Sequence, residues 1–368
     1  MNENIRSSVC RDINGLDIHF LEAGFEDSDN PLLVLLHGFP ELGFSWRYLI
    51  PSLAEQGFHV VAPDQRGFGK TTGWDNSYTG DLSSYSHKNL TKDIFDLVNA
   101  LGYETVECII GHDSGSAVAA WSSLIHPNMY KSVIMMSAPF TGTLEVPIIS
   151  NMSSEKNSSD IGKDLANLYR PRKHYQDYYR TIQANDDLMR SDIGLRSFIR
   201  AYYYNKSADW AQNNPFRLKS WTASELEKMP TYYIMDLNED MPETVSKVMP
   251  SNSYNNSCQW LNEEDLTVYE TEYSRTGFQG GLNWYRAAVS SGNKKELNSF
   301  LGSKIQIPAL FIAGKQDWGP YQIPGALSAM QYEIADREIP IEFIDHAGHW
   351  VQQENPTEVI SAIMKFLS

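Results

Sequence analysis

Short apolar segments alternate with amphipathic ones through the first 140 residues. A strand buried on both faces is a continuous apolar run, whereas a helix that covers a sheet repeats its apolar positions every three or four residues. The segment 88–102 has this helical spacing, with Leu90, Ile94 and Leu97 on one face. Continuous apolar runs predict strands over 16–24, 31–38, 58–64, 105–110 and 130–139. This alternation indicates a parallel sheet covered by helices on both faces.

The pattern changes after residue 140. Residues 149–162 are rich in Ser and Asn and are predicted to form a loop. From about residue 163 to residue 290 the sequence has helical spacing, many Tyr and Trp residues and no segment typical of a buried strand. Strand patterns return over 307–314 and 339–346, and a helix is predicted over 356–368.

The simplest interpretation is one α/β domain with an insertion. Residues 1–140 and 291–368 would form the α/β domain, and residues 141–290 a helical cap. Sites in doubly wound sheets form at the carboxyl ends of the strands, so an insertion there would cover the site.

Composition and charge narrow the function classes. The 368 residues include 30 Lys and Arg against 46 Asp and Glu, a net charge of −16. This balance disfavours nucleic acid or an anionic membrane as partner, because both require clustered basic residues. No apolar run approaches the ~20 residues that span a membrane, and the first residues lack the apolar segment of a signal peptide.

Cysteine usage favours a reducing compartment. Cys10, Cys108 and Cys258 are far apart and odd in number, so neither a disulfide scaffold nor a structural zinc site is expected. The segment HAGH is accompanied by no carboxylate or thiolate in a metal-binding spacing. We therefore expect a cytoplasmic protein that needs no metal and no cofactor.

Candidate chemistry begins after the strand predicted over 105–110, where the sequence reads GHDSGS. A small-x-nucleophile-x-small segment between a strand and a helix is typical of a sharp turn that exposes a nucleophile. Its middle position holds Asp113 in place of the usual serine, and Ser114 follows one position later. Asp113 alone could be a helix N-cap, but Gly111, Gly115 and Ser116 are the small residues that a tight turn requires.

Further candidates follow other predicted strands. Asp317 follows the strand over 307–314, and His349 follows the strand over 339–346. Taken alone, Asp317 could be a surface turn residue and His349 a packed histidine. The order acidic nucleophile, acid, histidine, each at a strand end, favours a catalytic triad. Asp64 and Arg66, in the segment DQRGFGKT, are expected to form a structural ion pair or to support a turn.

An aspartate in place of serine changes the reaction that such a triad supports. A carboxyl group with a pKa of about 3.9 is already charged at neutral pH. Asp113 can therefore attack carbon directly, displace a leaving group and form an ester. His349 is then free to activate water against that ester, with Asp317 orienting the imidazole. The residues indicate alkyl transfer rather than acyl transfer.

Over nearly its whole length the sequence resembles the epoxide hydrolase branch of the α/β-hydrolase superfamily. The resemblance rests on the segments HGFPE, PDQRGFGKT, GHDSGS, AGKQDW and AGHW, and on the tyrosine contexts KHYQDYY and GFQGGLNWYRA. It implies an α/β-hydrolase fold with a mostly parallel eight-stranded sheet and a helical cap inserted after the sixth strand. It also implies that an apolar epoxide and water react to give a vicinal diol.

The resemblance implies roles beyond the triad. The backbone amides of Phe39 and Ser114 would form an oxyanion hole, and Phe39 would precede a cis proline, Pro40. Tyr175 and Tyr285 of the cap would protonate the epoxide oxygen, because a phenol with a pKa of about 10 is a far stronger acid than an alcohol. Relatives often have Trp after the nucleophile, where this chain has Ser114.

The resemblance also bears on the choice of tyrosine and on the residues that would contact the substrate. Tyr178 or Tyr179 would replace Tyr175 if the register of the segment KHYQDYY differs from that of the family. Residues beside the motifs are expected to contact the substrate: His37, Pro40, Trp284, Trp318 and Trp350.

Rival functions fit less well. Haloalkane dehalogenases share the Asp nucleophile but commonly have Asn and Trp where this chain has Phe39 and Ser114, and fluoroacetate dehalogenases follow the nucleophile with Arg. A serine esterase using Ser114 would have its nucleophile beside the apex of the turn, and no other G-x-S-x-G segment occurs. A non-catalytic ligand-binding homologue would not need a complete set of triad and tyrosines.

The cap is longer than is usual in the family. The added stretches are LRSFIRAYYYNKSADW and MPTYYIMDLNEDMPETV. Three roles are open for them: shaping an unusual pocket, accepting a bulky epoxide, and forming a homodimer.

Overall fold

The computed structural model describes residues 4–142 and 160–368. The predicted loop over 149–162 lies outside these residues, apart from its last three positions. Within the described ranges the strands are β1 (Arg6–Ile13), β2 (Leu16–Ala23), β3 (Leu32–Leu36), β4 (His59–Pro63), β5 (Cys108–His112), β6 (Val133–Met136), β7 (Arg172–His174), β8 (Ile234–Asp236), β9 (Ala309–Gly314) and β10 (Ile341–Ile344).

Helices follow or separate most of these strands. They are α1 (Leu49–Ala54), α2 (His87–Ala100), α3 (Ser114–Ile125), α4 (Ile161–Ala166), α5 (Tyr175–Tyr179), α6 (Ala184–Met189), α7 (Leu195–Lys206), α8 (Ala223–Leu226), α9 (Met241–Ser246), α10 (Asn252–Ser257), α11 (Glu263–Thr276), α12 (Gln279–Ala288), α13 (Ser291–Leu297), α14 (Ala326–Tyr332), α15 (Val351–Glu354) and α16 (Pro356–Leu367). No helix in the described ranges has the length and apolar character that crossing a membrane requires.

The main sheet has eight strands in the order β1-β2-β4-β3-β5-β6-β9-β10. Strand β2 pairs antiparallel with both β1 and β4, and the remaining pairs are parallel. The six parallel strands therefore end at one edge of the sheet, where side chains that follow them meet. This is the predicted α/β-hydrolase fold, with the insertion after the sixth strand.

The apolar pattern did not predict strand β1. Most of its side chains are partly or fully exposed, because it is an edge strand and one face meets solvent. The turn that joins it to β2 contains Asn14 and Gly15, both with positive φ. An Asn-Gly pair between two strands is a strong hairpin signal, so the sequence does contain a feature that identifies this strand.

The inserted region is not wholly helical, and in this respect the prediction was wrong. Strands β7 and β8 pair antiparallel in a two-stranded sheet of their own. With three residues each, they are too short to show a strand period in sequence. The Tyr175 N–H donates to Tyr233 O just beyond this pairing. The small sheet thus fixes the start of α5, which carries a predicted catalytic tyrosine.

Candidate active site

Asp113 occupies a sharp turn between β5 and α3. Its φ of 52° and ψ of −119° lie in a region that non-glycine residues rarely adopt, a form of strain that is common at functional sites. Its side chain makes no capping hydrogen bond to α3, so the N-cap interpretation does not account for it. A Cβ on Gly111 would lie 2.0 Å from Gly115 O, and one on Gly115 would lie 2.4 Å from Leu36 O. The turn therefore requires its glycines.

The predicted triad residues lie together at the carboxyl ends of β5, β9 and β10. His349 Nε2 is 3.5 Å from Asp113 Oδ2, and His349 Nδ1 is 3.1 Å from Asp317 Oδ1. Gly319 N–H donates to the same Asp317 oxygen at 2.7 Å. The side chains of Asp317 and His349 are each 1% exposed. Because His349 Nδ1–H donates to Asp317, its Nε2 faces the carboxylate of Asp113.

Electrostatics keep both carboxylates ionised. Burial raises the pKa of Asp113, but the hydrogen bond and charge of His349, with the positive charges of Lys206 and His112, bring it well below its usual value. Burial likewise opposes ionisation of Asp317, yet His349 holds the pKa of that carboxyl below its usual value. Asp113 is therefore available as an anionic nucleophile at neutral pH.

One backbone amide contacts the Asp113 carboxyl group, and a second follows Asp113 directly in the chain. Phe39 N–H donates to Asp113 Oδ1 at 3.1 Å, and the Phe39–Pro40 peptide bond is cis, as expected. Ser114 is the first residue of α3, and the first amides of a helix have no acceptor within it. A Cβ on Gly38 would lie 2.4 Å from the Asp113 Cβ, so this approach also requires glycine.

The buried pair of Glu41 and His112 lies next to the site. Sequence reasoning did not predict it. His112 Nδ1–H donates to Glu41, and His112 Nε2–H donates to His349 O at 2.7 Å. With acceptors on both sides, the ring favours the protonated form. Although burial opposes both charges, the field of Glu41 raises the pKa of His112, and that of His112 lowers the pKa of Glu41. Both residues lie inside the motifs HGFPE and GHDSGS, but their contact was not predicted.

The two predicted tyrosines line the same cavity as Asp113. Burial is the main cause that raises the pKa of both phenols. The charge of Asp113 raises the pKa of Tyr175 further. Tyr175 and Asp113 raise that of Tyr285 further. They therefore hold their protons at neutral pH. Tyr175 OH donates to Gln322 Oε1 at 3.1 Å and accepts from Gln176 Nε2 at 3.1 Å. The Tyr285 ring meets the Phe39 ring edge-on at 5.5 Å.

The alternative tyrosines are engaged elsewhere. Tyr178 OH donates to Asp187 at 3.0 Å, and the hydroxyls of Tyr179 and Tyr202 are 3.2 Å apart. Neither Tyr178 nor Tyr179 lines the cavity that contains Asp113. The contacts favour Tyr175, which does line it.

A cavity of about 190 Å³ connects these groups. Its lining includes Asp113 and Ser114 of the nucleophile turn and Tyr175, Trp284 and Tyr285 of the insertion. The other polar side chains of the lining are His87, Gln176, Arg180 and Gln322, and the rest are Tyr85, Leu90 and alanines. The indole N–H of Trp284 donates to Arg66 O at 2.9 Å, which leaves its apolar ring to the cavity. A larger cavity of about 620 Å³ surrounds Arg47 and Asp265 but contains none of the predicted catalytic residues.

The other four predicted substrate-contacting residues lie outside the lining of the 190 Å³ cavity. His37 Nδ1–H donates to Gly38 O, and its Nε2 accepts from Gln65 N–H. Pro40 O accepts from Tyr203 OH.

Trp318 and Trp350 are held by neighbours too. Trp350 stacks on Tyr203 at 4.1 Å, and Trp318 meets Phe216 edge-on at 5.0 Å. Each of these four residues packs into the framework around the site, and substrate contact by His37, Pro40, Trp318 and Trp350 stays a prediction.

Asp64 and Arg66 are structural, but they do not pair with each other. Asp64 contacts His19 Nδ1 at 2.7 Å, and Arg66 contacts Asp93 at 2.7 Å. No group of three or more His, Cys, Asp or Glu side chains suited to a metal ion occurs in residues 4–142 and 160–368.

Comparisons with known proteins identify the family of this chain. The family model for the alpha/beta hydrolase fold matches residues 31–356. Epoxide hydrolase A of Mycobacterium tuberculosis is 30% identical over 364 residues, which are 97% of this chain and 96% of the relative. The chain belongs to the epoxide hydrolase branch of the α/β-hydrolase fold family.

Solved structures of this branch extend the likeness to three dimensions. Epoxide hydrolase A from Mycobacterium thermoresistibile has a TM-score of 0.74 and 28% identity, and the match covers 99% of this chain and 98% of that one. Potato epoxide hydrolase I has a TM-score of 0.71 and 26% identity, with 99% of each chain covered. Cap and core together thus match epoxide hydrolases along their whole length.

Proposed function

We propose that this enzyme, a hydrolase acting on ether bonds, converts apolar epoxides and water to vicinal diols through an ester on Asp113. The observation that carries the proposal is the arrangement around the 190 Å³ cavity. An ionised carboxylate lies against a backbone amide and the triad imidazole, and two protonated phenols line the same cavity. This set supplies a nucleophile, a base and an acid without any cofactor.

In the first half-reaction, an Asp113 oxygen attacks one carbon of the oxirane ring. A C–O bond to the enzyme forms, the C–O bond of the ring breaks, and its electron pair passes to the departing oxygen. Tyr285 or Tyr175 transfers its phenolic proton to that oxygen. The product is a hydroxyalkyl ester on Asp113 and a phenolate on the donor tyrosine.

In the second half-reaction, His349 removes a proton from water as the hydroxide adds to the ester carbon of Asp113. The oxyanion that forms would accept hydrogen bonds from the amides of Phe39 and Ser114. The tetrahedral intermediate collapses, and the imidazolium protonates the departing diol oxygen. The remaining proton of the attacking water returns to the phenolate, which restores both Asp113 and the tyrosine.

Diol formation by the purified protein tests the proposed function. The probes are styrene oxide and trans-stilbene oxide, with 1-chlorohexane as a dehalogenase probe. We expect diol from the wild-type protein, none from Asp113→Ala, and no chloride release. Chloride release without diol, or full diol formation by Asp113→Ala, would contradict the proposal.

A further inference from the structure

Arg180 is a charged residue in the lining of the 190 Å³ cavity that the proposed mechanism does not use. It follows α5 directly and is the C-cap of that helix, which begins with Tyr175. Its side chain is partly buried, and one guanidinium nitrogen pairs with Asp177 at 2.8 Å. Its other nitrogens make hydrogen bonds toward the two helices that carry the predicted proton donors.

One of these nitrogens contacts α12, the helix that carries Tyr285. Arg180 Nε–H donates to Tyr285 O at 3.2 Å. Tyr285 is among the last four residues of α12, whose carbonyls have no partner within the helix. A positive side chain at this position also stabilises the negative end of the helix dipole. Arg180 therefore joins the end of α5 to the end of α12.

A chain of hydrogen bonds leads from Arg180 to the hydroxyl of Tyr175. Arg180 Nη2–H donates to Gln176 Oε1 at 3.1 Å, and Gln176 Nε2–H donates to Tyr175 OH at 3.1 Å. Because a guanidinium can only donate, it requires the oxygen of the Gln176 amide on its own side, and the amide nitrogen then faces Tyr175. The hydroxyl proton of Tyr175 is thereby directed to Gln322 Oε1, 3.1 Å away. Arg180 thus sets the direction of every hydrogen bond in the chain.

The same chain favours loss of the Tyr175 proton. Burial and the charge of Asp113 raise the pKa of this phenol, whereas the Gln176 hydrogen bond and the charge of Arg180 lower it. A phenolate on Tyr175 would accept the Gln176 hydrogen bond as a charged acceptor, and such bonds are roughly twice as strong as neutral ones. Ring packing extends the arrangement to Tyr285, whose ring centroid is 6.2 Å from that of Tyr175.

We propose that Arg180 is a positioning residue for both proton donors of the cap. It fixes the end of α12 through Tyr285 O and orients the Tyr175 hydroxyl through Gln176. This inference rests on the proposed function. Proton donation belongs to the opening of the epoxide, whereas hydrolysis of the ester depends on His349. Loss of Arg180 should therefore slow ester formation much more than ester hydrolysis.

Single-turnover kinetics with trans-stilbene oxide separate the two half-reactions. In Arg180→Met we expect ester formation to be slowed about 10- to 100-fold, the usual effect of losing hydrogen bonds to a charged group, with a much smaller change in ester hydrolysis. Arg180→Lys should lie between the wild type and Arg180→Met, because an ammonium group lacks the planar fork that contacts Tyr285 O and Gln176 together. The matched control is Arg190→Met, an exposed arginine paired with Asp186, which should keep both wild-type rates.

A double-mutant cycle tests the path through Gln176. In the wild-type background, Gln176→Met interrupts the chain but leaves the contact of Arg180 with Tyr285 O, so it should slow ester formation less than Arg180→Met does. In a Tyr175→Phe background the chain has no hydroxyl to orient, so Gln176→Met should cause no further loss. Equal losses in the two backgrounds would contradict this path.

Two kinetic results would overturn the proposal. One is an unchanged rate of ester formation in Arg180→Met. The other is equal slowing of both half-reactions, which a general loss of structure would cause. If Arg180→Met does not keep the wild-type melting temperature, Arg180→Lys provides the same comparison.

The two proposals fail in different ways. Diol from the wild-type protein together with unchanged ester formation in Arg180→Met would overturn the inference alone. Absence of diol from the wild-type protein would overturn the proposed function. Crystal structures of the wild-type protein and Arg180→Met would still decide on Arg180, because the Tyr175 hydroxyl and the end of α12 should shift in the variant. Identical positions in the two structures would overturn its role.

Discussion

At the scale of the residue, the two cap tyrosines differ in their hydrogen bonds. Tyr175 donates its proton to Gln322 and accepts a hydrogen bond from Gln176. Within the described ranges, no group forms a hydrogen bond with the Tyr285 hydroxyl. In the proposed mechanism, Tyr285 is therefore free to donate to an epoxide oxygen, whereas Tyr175 would first have to leave Gln322.

This difference predicts unequal effects of removing the two hydroxyls. Tyr285→Phe should slow ester formation from trans-stilbene oxide by about 10²- to 10⁴-fold, the usual contribution of a general acid. Tyr175→Phe should slow it less. Tyr178→Phe is the matched control and should keep the wild-type rate, because that hydroxyl is bonded to Asp187. Single-turnover kinetics measure all three, and a larger loss in Tyr175→Phe would refute the assignment.

The sequence predicted which strand-end residues lie together at the site. It did not predict the residues from other parts of the chain that contact them. Asp113, Asp317 and His349 each follow a strand of one parallel sheet, so topology alone brings them together. The contacts of Gln322 and Lys206 with the site depend on how the cap packs over the core. That packing leaves no local pattern, because it joins residues more than a hundred positions apart.

At the scale of the element, burial and length decide which strands the apolar pattern can predict. The apolar pattern revealed the central strands, since every residue of β3 and β5 is buried. It did not reveal β1, β7 or β8, which are exposed or very short. The division at residues 141 and 290 stays a prediction of the cap boundaries, since residues 143–159 are not described.

A glycine substitution tests the turn. In Gly111→Ala, the new Cβ would lie 2.0 Å from Gly115 O, so the backbone must shift. We expect the free energy of unfolding to fall by about 3 kcal/mol, as overpacking does. In Gly292→Ala, the nearest atom is Ser290 Oγ at 4.0 Å, so stability should rise by up to about 1 kcal/mol. Urea unfolding compares the two, and equal effects would contradict this account of the turn.

At the scale of the whole molecule, Glu41 connects β5, α15 and the cap through hydrogen bonds. Its carboxylate accepts from His112, from Gly38 N–H and from Gln352 of α15. Its backbone oxygen accepts from Tyr273 of the cap. Loss of one partner of a buried ion pair leaves the other charge without compensation.

We therefore expect Glu41→Gln to lower the free energy of unfolding by about 3–5 kcal/mol. The pH dependence follows from the two shifted pKa values. Because the pKa of Glu41 is lowered, its contribution is present above about pH 4.3 and is lost as the pH falls through the folded value. Because the pKa of His112 is raised, its contribution is complete below about pH 6.5 and is lost as the pH rises through the folded value.

Denaturant unfolding over a range of pH checks this prediction. The wild-type protein should be stabilised by the pair most strongly between about pH 4.3 and 6.5, and Glu41→Gln should lack this dependence. An unchanged pH profile in Glu41→Gln would show that the pair is not charged.

The central claim is that Asp113 forms an ester with the substrate, and trapping that ester tests it most directly. His349→Gln lacks the base for the second half-reaction, so the ester should accumulate on mixing with trans-stilbene oxide. Peptide mass spectrometry is predicted to find one equivalent of the epoxide mass on Asp113 and none in the double variant with Asp113→Ala. An adduct on Ser114, or no adduct while the wild-type protein makes diol, would contradict the account.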